Sequence, residues 1–209
     1  MGPRAAPATL TALADVVRIG IAALASGFLV AGDESAALKA LLVLVPAIAS
    51  RMVRAPAAFD LLFAVTLAVE TLGTGLGVYG RVGWPDSGSH LLIPFVSAPI
   101  VYQAFVRLNA ITAPEEPRAA LGTGLVVAAG VLALGALWEL VEWGADSGFG
   151  TDYSQGHTDT LSDLLADAVA AAAGGVAIAV WLGRRAAGSW AAPGWGKHPR
   201  AARRREEAA

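Results

Sequence analysis

Six apolar stretches, each long enough to cross a lipid bilayer, dominate this chain of 209 residues. A helix needs about 20 predominantly apolar residues to span the hydrocarbon core. Hydrophobic residues make up 56% of the chain and charged residues only 15%, which is too little charge to cover a soluble core. The sequence therefore predicts an all-α, polytopic membrane bundle of about six transmembrane helices. The predicted spans are roughly 13–31, 36–53, 57–79, 90–110, 119–143 and 160–183.

The first stretch has a second interpretation, as a secretory signal peptide with Arg4 in its basic leading region. It has no clear small-x-small cleavage site followed by a polar mature domain, and this favours a retained span. Arg18 and Lys39 lie near the ends of the first two stretches. We expect both side chains to snorkel towards the membrane surface.

The basic residues are concentrated in alternate connections, and such a bias sets the orientation of a membrane protein. It predicts that both termini are cytoplasmic. Residues 1–183 should form one transmembrane domain, and residues 184–209 a basic, disordered cytoplasmic tail. The bias towards Ala, Gly, Val and Arg is typical of a GC-rich bacterial gene, so the expected location is the bacterial cytoplasmic membrane. The expected partner is the lipid bilayer, and nothing indicates nucleic-acid binding.

Residues 139–167 combine seven carboxylates with one histidine and contain no lysine or arginine. Carboxylates three or four residues apart on a helix share a face and repel one another, more strongly at low dielectric. Such pairs occur at the end of the fifth span and the start of the sixth, and an Asp–His pair precedes the fourth. The residues concerned are Glu139 with Glu142, Asp159 with Asp163 and Asp167, and Asp86 with His90.

Three arrangements would relieve this repulsion: protonation of some carboxyls, a shared divalent cation, or a basic group such as Arg81 reaching in from another segment. Oxygen ligands suit Mg²⁺, Mn²⁺ or Ca²⁺, and a histidine would also allow Zn²⁺. The predicted metal ligands are Asp86, His90, Glu139, Glu142, Asp159 and Asp163, with His157 as a further candidate.

Two other functions remain open from the residues alone. Glu70 and Asp167 lie inside predicted spans, where ionisable groups are costly and usually functional, so they could line a path in a proton- or ion-coupled transporter. The absence of a repeat of broken helices disfavours that function. Alternatively, the protein is a non-catalytic scaffold in which the acidic side chains serve only as polar partners for one another.

Several other polar residues receive structural interpretations. We expect Asp60 to pair with Arg51 or Arg54, and Asp146 and Asp152 to be solvated loop residues. The glycine-rich pieces at 73–77 and 122–126 lie in apolar stretches and follow no strand, so they indicate close helix packing and not phosphate loops.

Three blocks carry a family resemblance: DSGSH at 86–90, ELVEW at 139–143, and QG at 155–156 followed by Asp159, Thr160 and Asp163. This pattern resembles the YjdF-like family of small bacterial inner-membrane proteins, and more distantly the VanZ-like group. The family often has an Asp after the QG pair, where this chain has His157. The resemblance implies a fold and a membrane location but no activity.

The leading hypothesis is an acidic, histidine-bearing site at the extracytoplasmic face that binds a divalent cation. The site would serve a metal-assisted reaction on an envelope or lipid-linked substrate. The resemblance to the VanZ-like group favours the cell envelope.

Overall fold

A computed structural model describes residues 5–78, 84–154 and 156–187. Six helices are found there and no strand. All six are long and apolar enough to cross a membrane, which confirms the predicted all-α bundle. The helices are α1 (Ala5–Ala31), α2 (Glu34–Met52), α3 (Ala57–Gly75), α4 (Trp84–Arg107), α5 (Pro117–Phe149) and α6 (His157–Ala186).

The largest departure from the predicted boundaries is at the start of α1, which begins at Ala5 and not at residue 13. The helix α5 continues six residues beyond its predicted end at 143, to Phe149. It ends where Gly150 adopts a left-handed conformation (φ 68°), which glycine reaches without steric cost. Asp146 therefore belongs to the last turn of this helix and not to a loop. Residues 188–209, which include nearly all of the predicted tail, lie outside the described residues.

The short connections make consecutive helices antiparallel neighbours. The C-terminal ends of α1, α3 and α5 and the N-terminal ends of α2, α4 and α6 therefore share one end of the bundle. We call it the acidic end, since it carries the carboxylates of residues 139–167. The first three helices contact one another, the last three do likewise, and α3 contacts α4.

Glycines permit the closest of these contacts, between α5 and α6. A Cβ atom built on Gly124 would lie 2.5 Å from the Gly175 carbonyl oxygen, and one built on Gly175 would lie 2.6 Å from the Gly124 carbonyl oxygen. The two backbones thus touch directly, which only small residues allow. This confirms the packing role predicted for the glycine-rich piece at 122–126 and fixes how α6 lies against α5.

A buried ionic network joins the first three helices, and two predictions about it are wrong. Arg18 is only 7% exposed, and its guanidinium is paired with Asp60, which is 2% exposed. It also donates hydrogen bonds to Ser50 Oγ at 3.0 Å and to Asp15 at 3.0 Å. Arg18 therefore does not snorkel, and Asp60 is bound by it instead of by Arg51 or Arg54. Arg51 pairs with Asp15 at 3.0 Å.

Candidate functional site

Three ligand-type side chains from three different helices meet at the acidic end. His90 lies in the second turn of α4, Glu139 in α5 and Asp163 in α6. One nitrogen or oxygen atom from each lies within 4.8 Å of the other two. His90 Nε2 is 3.8 Å from Glu139 Oε1 and 4.0 Å from Asp163 Oδ2. We call these three residues the triad.

Asp167 fixes the orientation of the triad histidine. Its Oδ1 atom lies 3.0 Å from His90 Nδ1, within hydrogen-bond distance. An ionised Asp167 can only accept, and Nδ1 then carries the proton, while Nε2 faces Glu139 and Asp163. Gly135 on α5 provides the space for Asp167, because a Cβ atom built on this glycine would lie 2.1 Å from Asp167 Oδ2.

Burial makes the charges of the triad costly. Glu139 is only 6% exposed, and Asp163 and Asp167 are more deeply buried. Among the residues that the structure describes, the Oε1 atom of Glu139 has no hydrogen-bond partner. The 3.8 Å to His90 Nε2 is too long for a hydrogen bond. A buried carboxylate oxygen without a partner requires a proton, a cation or a water molecule.

A second ionic group lies one turn further along α5. Lys39 Nζ lies 2.8 Å from Glu142 Oε1 and 3.2 Å from Glu70 Oε1. The lysine is 4% exposed, so it is buried and does not snorkel. Glu142, a predicted metal ligand, is thus bound to Lys39, and it lies outside the triad. Glu70 and Asp167, predicted as parts of one path, belong to different groups.

Aromatic rings and a short loop cover this lysine. Lys39 Nζ lies 5.7 Å from the centre of the Trp138 ring and 5.1 Å from that of Tyr153, close enough for cation–π attraction. The Tyr153 hydroxyl donates a hydrogen bond to the Ser35 carbonyl on α2. Burial raises the pKa of Tyr153, so the phenol stays protonated as this donor.

Asp146 organises that loop and is not the solvated residue that the sequence suggested. Its carboxylate accepts hydrogen bonds from the backbone N–H groups of Tyr153 and Ser154 at 2.8 and 3.0 Å. It also accepts from the hydroxyls of Thr151 and Ser154, both at 2.6 Å. Four hydrogen bonds to one carboxylate hold the loop over Lys39.

The remaining predicted ligands lie outside the triad or outside the described atoms. Asp159 is half-buried in the first turn of α6, one turn before Asp163. His157 is exposed at the first residue of the same helix. The side chain of Asp86 and the whole of Arg81 belong to the part of the chain that the structure does not describe.

Lys39 is the residue of this region whose role the sequence analysis missed. It lies five residues after the start of α2, and Glu70 lies five residues before the end of α3. In antiparallel helices these positions have equal depth. A lysine and a glutamate at equal depth in neighbouring spans predict an ion pair, and the sequence contains this pattern.

The comparisons with known proteins give one result. A family model described as "Predicted membrane protein (DUF2238)" matches residues 8–186, which cover all but a few residues of the six helices. No curated protein and no solved structure gives a match. The family model agrees with the YjdF-like resemblance, whereas a link to the VanZ-like group stays a prediction. The chain belongs to the DUF2238 family of predicted membrane proteins.

Proposed function

We propose that this membrane protein binds a divalent cation through His90, Glu139 and Asp163. The observation that carries the proposal is the convergence of their ligand atoms within 4.8 Å around a buried Glu139 oxygen that has no hydrogen-bond partner in the described part of the chain. A cation at this point would coordinate that oxygen and reduce the repulsion between the two carboxylates.

The hydrogen bond from His90 to Asp167 supports the proposal. Histidines that bind metals through one ring nitrogen almost always donate the other N–H to a carboxylate, a carbonyl or water. Here Nδ1 lies 3.0 Å from Asp167, and Nε2 faces the two other triad residues. Neutral His90 would therefore present a lone pair to the proposed ion.

The spacing suits a small ion after minor side-chain rotation. Ligand atoms about 2.0–2.2 Å from a tetrahedral ion are roughly 3.3–3.6 Å apart. The two distances from His90 Nε2, 3.8 and 4.0 Å, exceed that range by a few tenths of an ångström, and the ligand oxygens of Glu139 and Asp163 lie within 4.8 Å of each other. One histidine and two carboxylates suit Zn²⁺ or Mn²⁺ better than Mg²⁺ or Ca²⁺, which favour all-oxygen sites.

Three protein ligands leave a coordination position open, which is typical of catalytic sites and not of structural ones. A bound water in that position would become a stronger nucleophile, as in metal-assisted hydrolysis. The expected substrate is an envelope or lipid-linked molecule. The exposed apolar residues Leu140 and Trp143, which follow Glu139 and Glu142 on α5, would bring it near an acyl chain.

The two rival functions have less support. A proton or ion path would have to run through both Glu70 and Asp167. Glu70 is paired with Lys39 and Asp167 with His90, so the two acids belong to separate ionic groups. A scaffold whose acids only satisfy one another would leave the Glu139 Oε1 atom without a partner at a free-energy cost of about 1–3 kcal/mol.

The direct test is to count ions. Protein purified in detergent, stripped with a chelator and equilibrated with Mn²⁺ or Zn²⁺ alone should retain one ion per chain after dialysis. Elemental analysis against protein concentration measures this ratio. A ratio near zero for Mn²⁺, Zn²⁺, Mg²⁺ and Ca²⁺ would refute the proposal that the protein binds a divalent cation.

The proposed location of the site at the extracytoplasmic face has a separate test. The chain contains no cysteine, so single cysteines can be introduced without background labelling. Asp152→Cys is exposed in the loop at the acidic end, and Glu115→Cys is exposed in the connection at the opposite end. In intact cells a membrane-impermeant maleimide should label Asp152→Cys alone, and Glu115→Cys should react only after permeabilisation. The reverse pattern would place the site in the cytoplasm.

A further inference from the structure

The site around His90 has two layers, one helical turn apart. On α5, Glu139 lies four residues after Gly135. On α6, Asp163 lies four residues before Asp167. Because the two helices are antiparallel, the contact between Gly135 and Asp167 lies about 6 Å deeper in the bundle than the two triad carboxylates. His90 joins both layers, since its Nδ1 lies 3.0 Å from Asp167 and its Nε2 faces the triad carboxylates.

The position of the Asp167 carboxylate depends on a steric fit against Gly135. A Cβ atom built on this glycine would lie 2.1 Å from Asp167 Oδ2, 2.8 Å from its Cγ and 3.2 Å from its Cβ. The first two distances are far below van der Waals contact, so any side chain at residue 135 must displace the carboxylate. Asp167 is only 1% exposed, so a displaced carboxylate must move within a packed interior.

Only one of the two Asp167 oxygens is held by a hydrogen bond within the described part of the chain. Oδ1 lies 3.0 Å from His90 Nδ1, whereas Oδ2 has no hydrogen-bond partner there and lies against Gly135. A hydrogen bond weakens steeply once its distance and angle leave the preferred range. A displaced carboxylate therefore loses its contact with the histidine, and the imidazole loses the restraint that directs Nε2.

We propose that Gly135 is a positioning residue that acts through Asp167 on the imidazole of His90. The absence of a side chain at residue 135 lets the carboxylate lie where it accepts a hydrogen bond from Nδ1, and this directs Nε2 to the triad carboxylates. The effect on the imidazole follows from these contacts without an ion. The effect on ion affinity rests on the proposed function, in which Nε2 is a ligand.

Gly135→Ala is the informative change, and the Nδ1 proton of His90 reports its effect. The chain has three histidines, so His157→Gln and His198→Gln leave His90 as the only imidazole. In chelator, NMR of this parent with ¹⁵N-labelled histidine should show a slowly exchanging, hydrogen-bonded proton on Nδ1. Adding Gly135→Ala should abolish this protected proton. A parent without the protected proton, or a Gly135→Ala variant that keeps it, would overturn the proposal.

The second readout is ion affinity. With Mn²⁺ as the probe, Gly135→Ala should bind the ion about 10–100-fold more weakly, the usual effect of disturbing an outer partner of a metal ligand. Gly130→Ala is the matched control, because a Cβ atom there would lie 2.6 Å from the Phe105 ring and its nearest neighbours are Phe105 and Val101. This control can lose stability but should keep its Mn²⁺ affinity. An equal loss of affinity in both variants would indicate a general effect of overpacking and contradict the proposal.

Thermal unfolding shows whether the added methyl group meets Asp167. Alanine is a better helix former than glycine, so a lower Tm in Gly135→Ala indicates a clash. Asp167→Ala removes the two closest atoms, and it should therefore raise the Tm more in the Gly135→Ala protein than in the unaltered one. If Gly135→Ala alone does not fold, the double variant should fold. Equal effects of Asp167→Ala in both proteins, or a double variant that also fails to fold, would refute a role of Gly135 through Asp167.

The two proposals fail in different ways. If the protein binds no ion, Mn²⁺ gives no signal in any variant, but the Nδ1 proton still tests the role of Gly135. If Gly135 is only a packing residue, the unaltered protein and Gly135→Ala bind Mn²⁺ equally.

Discussion

Glu139→Gln is expected to weaken divalent-ion binding by more than about 100-fold, since losing even an outer partner of a metal ligand typically costs 10–100-fold. Glutamine keeps the shape of the side chain but removes the charge of an oxygen that has no hydrogen-bond partner among the described residues. Asp163→Asn removes the second triad carboxylate, and we expect a comparable loss. Equilibrium dialysis with Mn²⁺ or Zn²⁺ measures both affinities.

Asp159→Asn is the matched control. It removes the same charge from the same helix, one turn before Asp163, at a half-buried residue outside the triad. Its ion affinity should stay close to that of the unaltered protein. An equal loss in this variant would indicate a general effect of negative charge instead of coordination by the triad.

The same Glu139→Gln change should raise the thermal stability of the ion-free protein. Without an ion, Glu139 is a buried carboxylate close to the carboxylate of Asp163. Removing its charge relieves both desolvation and repulsion, so the chelator-treated variant should unfold at a higher temperature than the unaltered protein. A variant that is less stable than the unaltered protein in chelator would show that Glu139 serves the fold.

Arg18→Met is expected to destabilise the protein by about 3–5 kcal/mol, the usual cost of leaving a buried charge without its partner. The charge concerned is Asp60, which is 2% exposed and paired with Arg18. Thermal unfolding in detergent, followed by circular dichroism, should show a decrease in Tm on the order of 10 °C.

Arg51→Met supplies the control for this change. Its side chain is 47% exposed, and it pairs with Asp15, whose side chain is 39% exposed. Pairs of this kind contribute about 0–1 kcal/mol. Combining Arg18→Met with Asp60→Asn should recover part of the lost stability, because the unpaired charge is removed. A Tm of Arg18→Met equal to that of Arg51→Met would refute a stabilising role for the buried network.

The six helices could be predicted from the sequence because crossing a bilayer requires apolar length, a local property. The triad could be proposed for a related reason. Glu139 and Asp163 each lie next to another acid on one helix face, and His90 begins a span. Local periodicity predicted which side chains share a face, and antiparallel packing brought those faces to the same end.

The pairing of Lys39 with Glu142, and of Arg18 with Asp60, could not be predicted in the same way. Lys39 is 103 residues from Glu142, and Arg18 is 42 residues from Asp60. Pairing over such distances depends on which helices become neighbours, and that is decided by side-chain packing over whole spans. The glycine contact between α5 and α6 is one such determinant, since it sets how these two helices cross.

The distance along the sequence between Lys39 and its two partners has a consequence for biosynthesis. A chain is made from its N-terminus, so α2 emerges from the ribosome before either glutamate exists. Glu70 follows on the next helix, but Glu142 arrives only with α5. A lysine at membrane depth is unfavourable until it is paired. The first two helices therefore enter the membrane with the Lys39 charge unpaired. The ion pair between Lys39 and Glu142 forms only after α5 has been made, and it then joins α2 to α5.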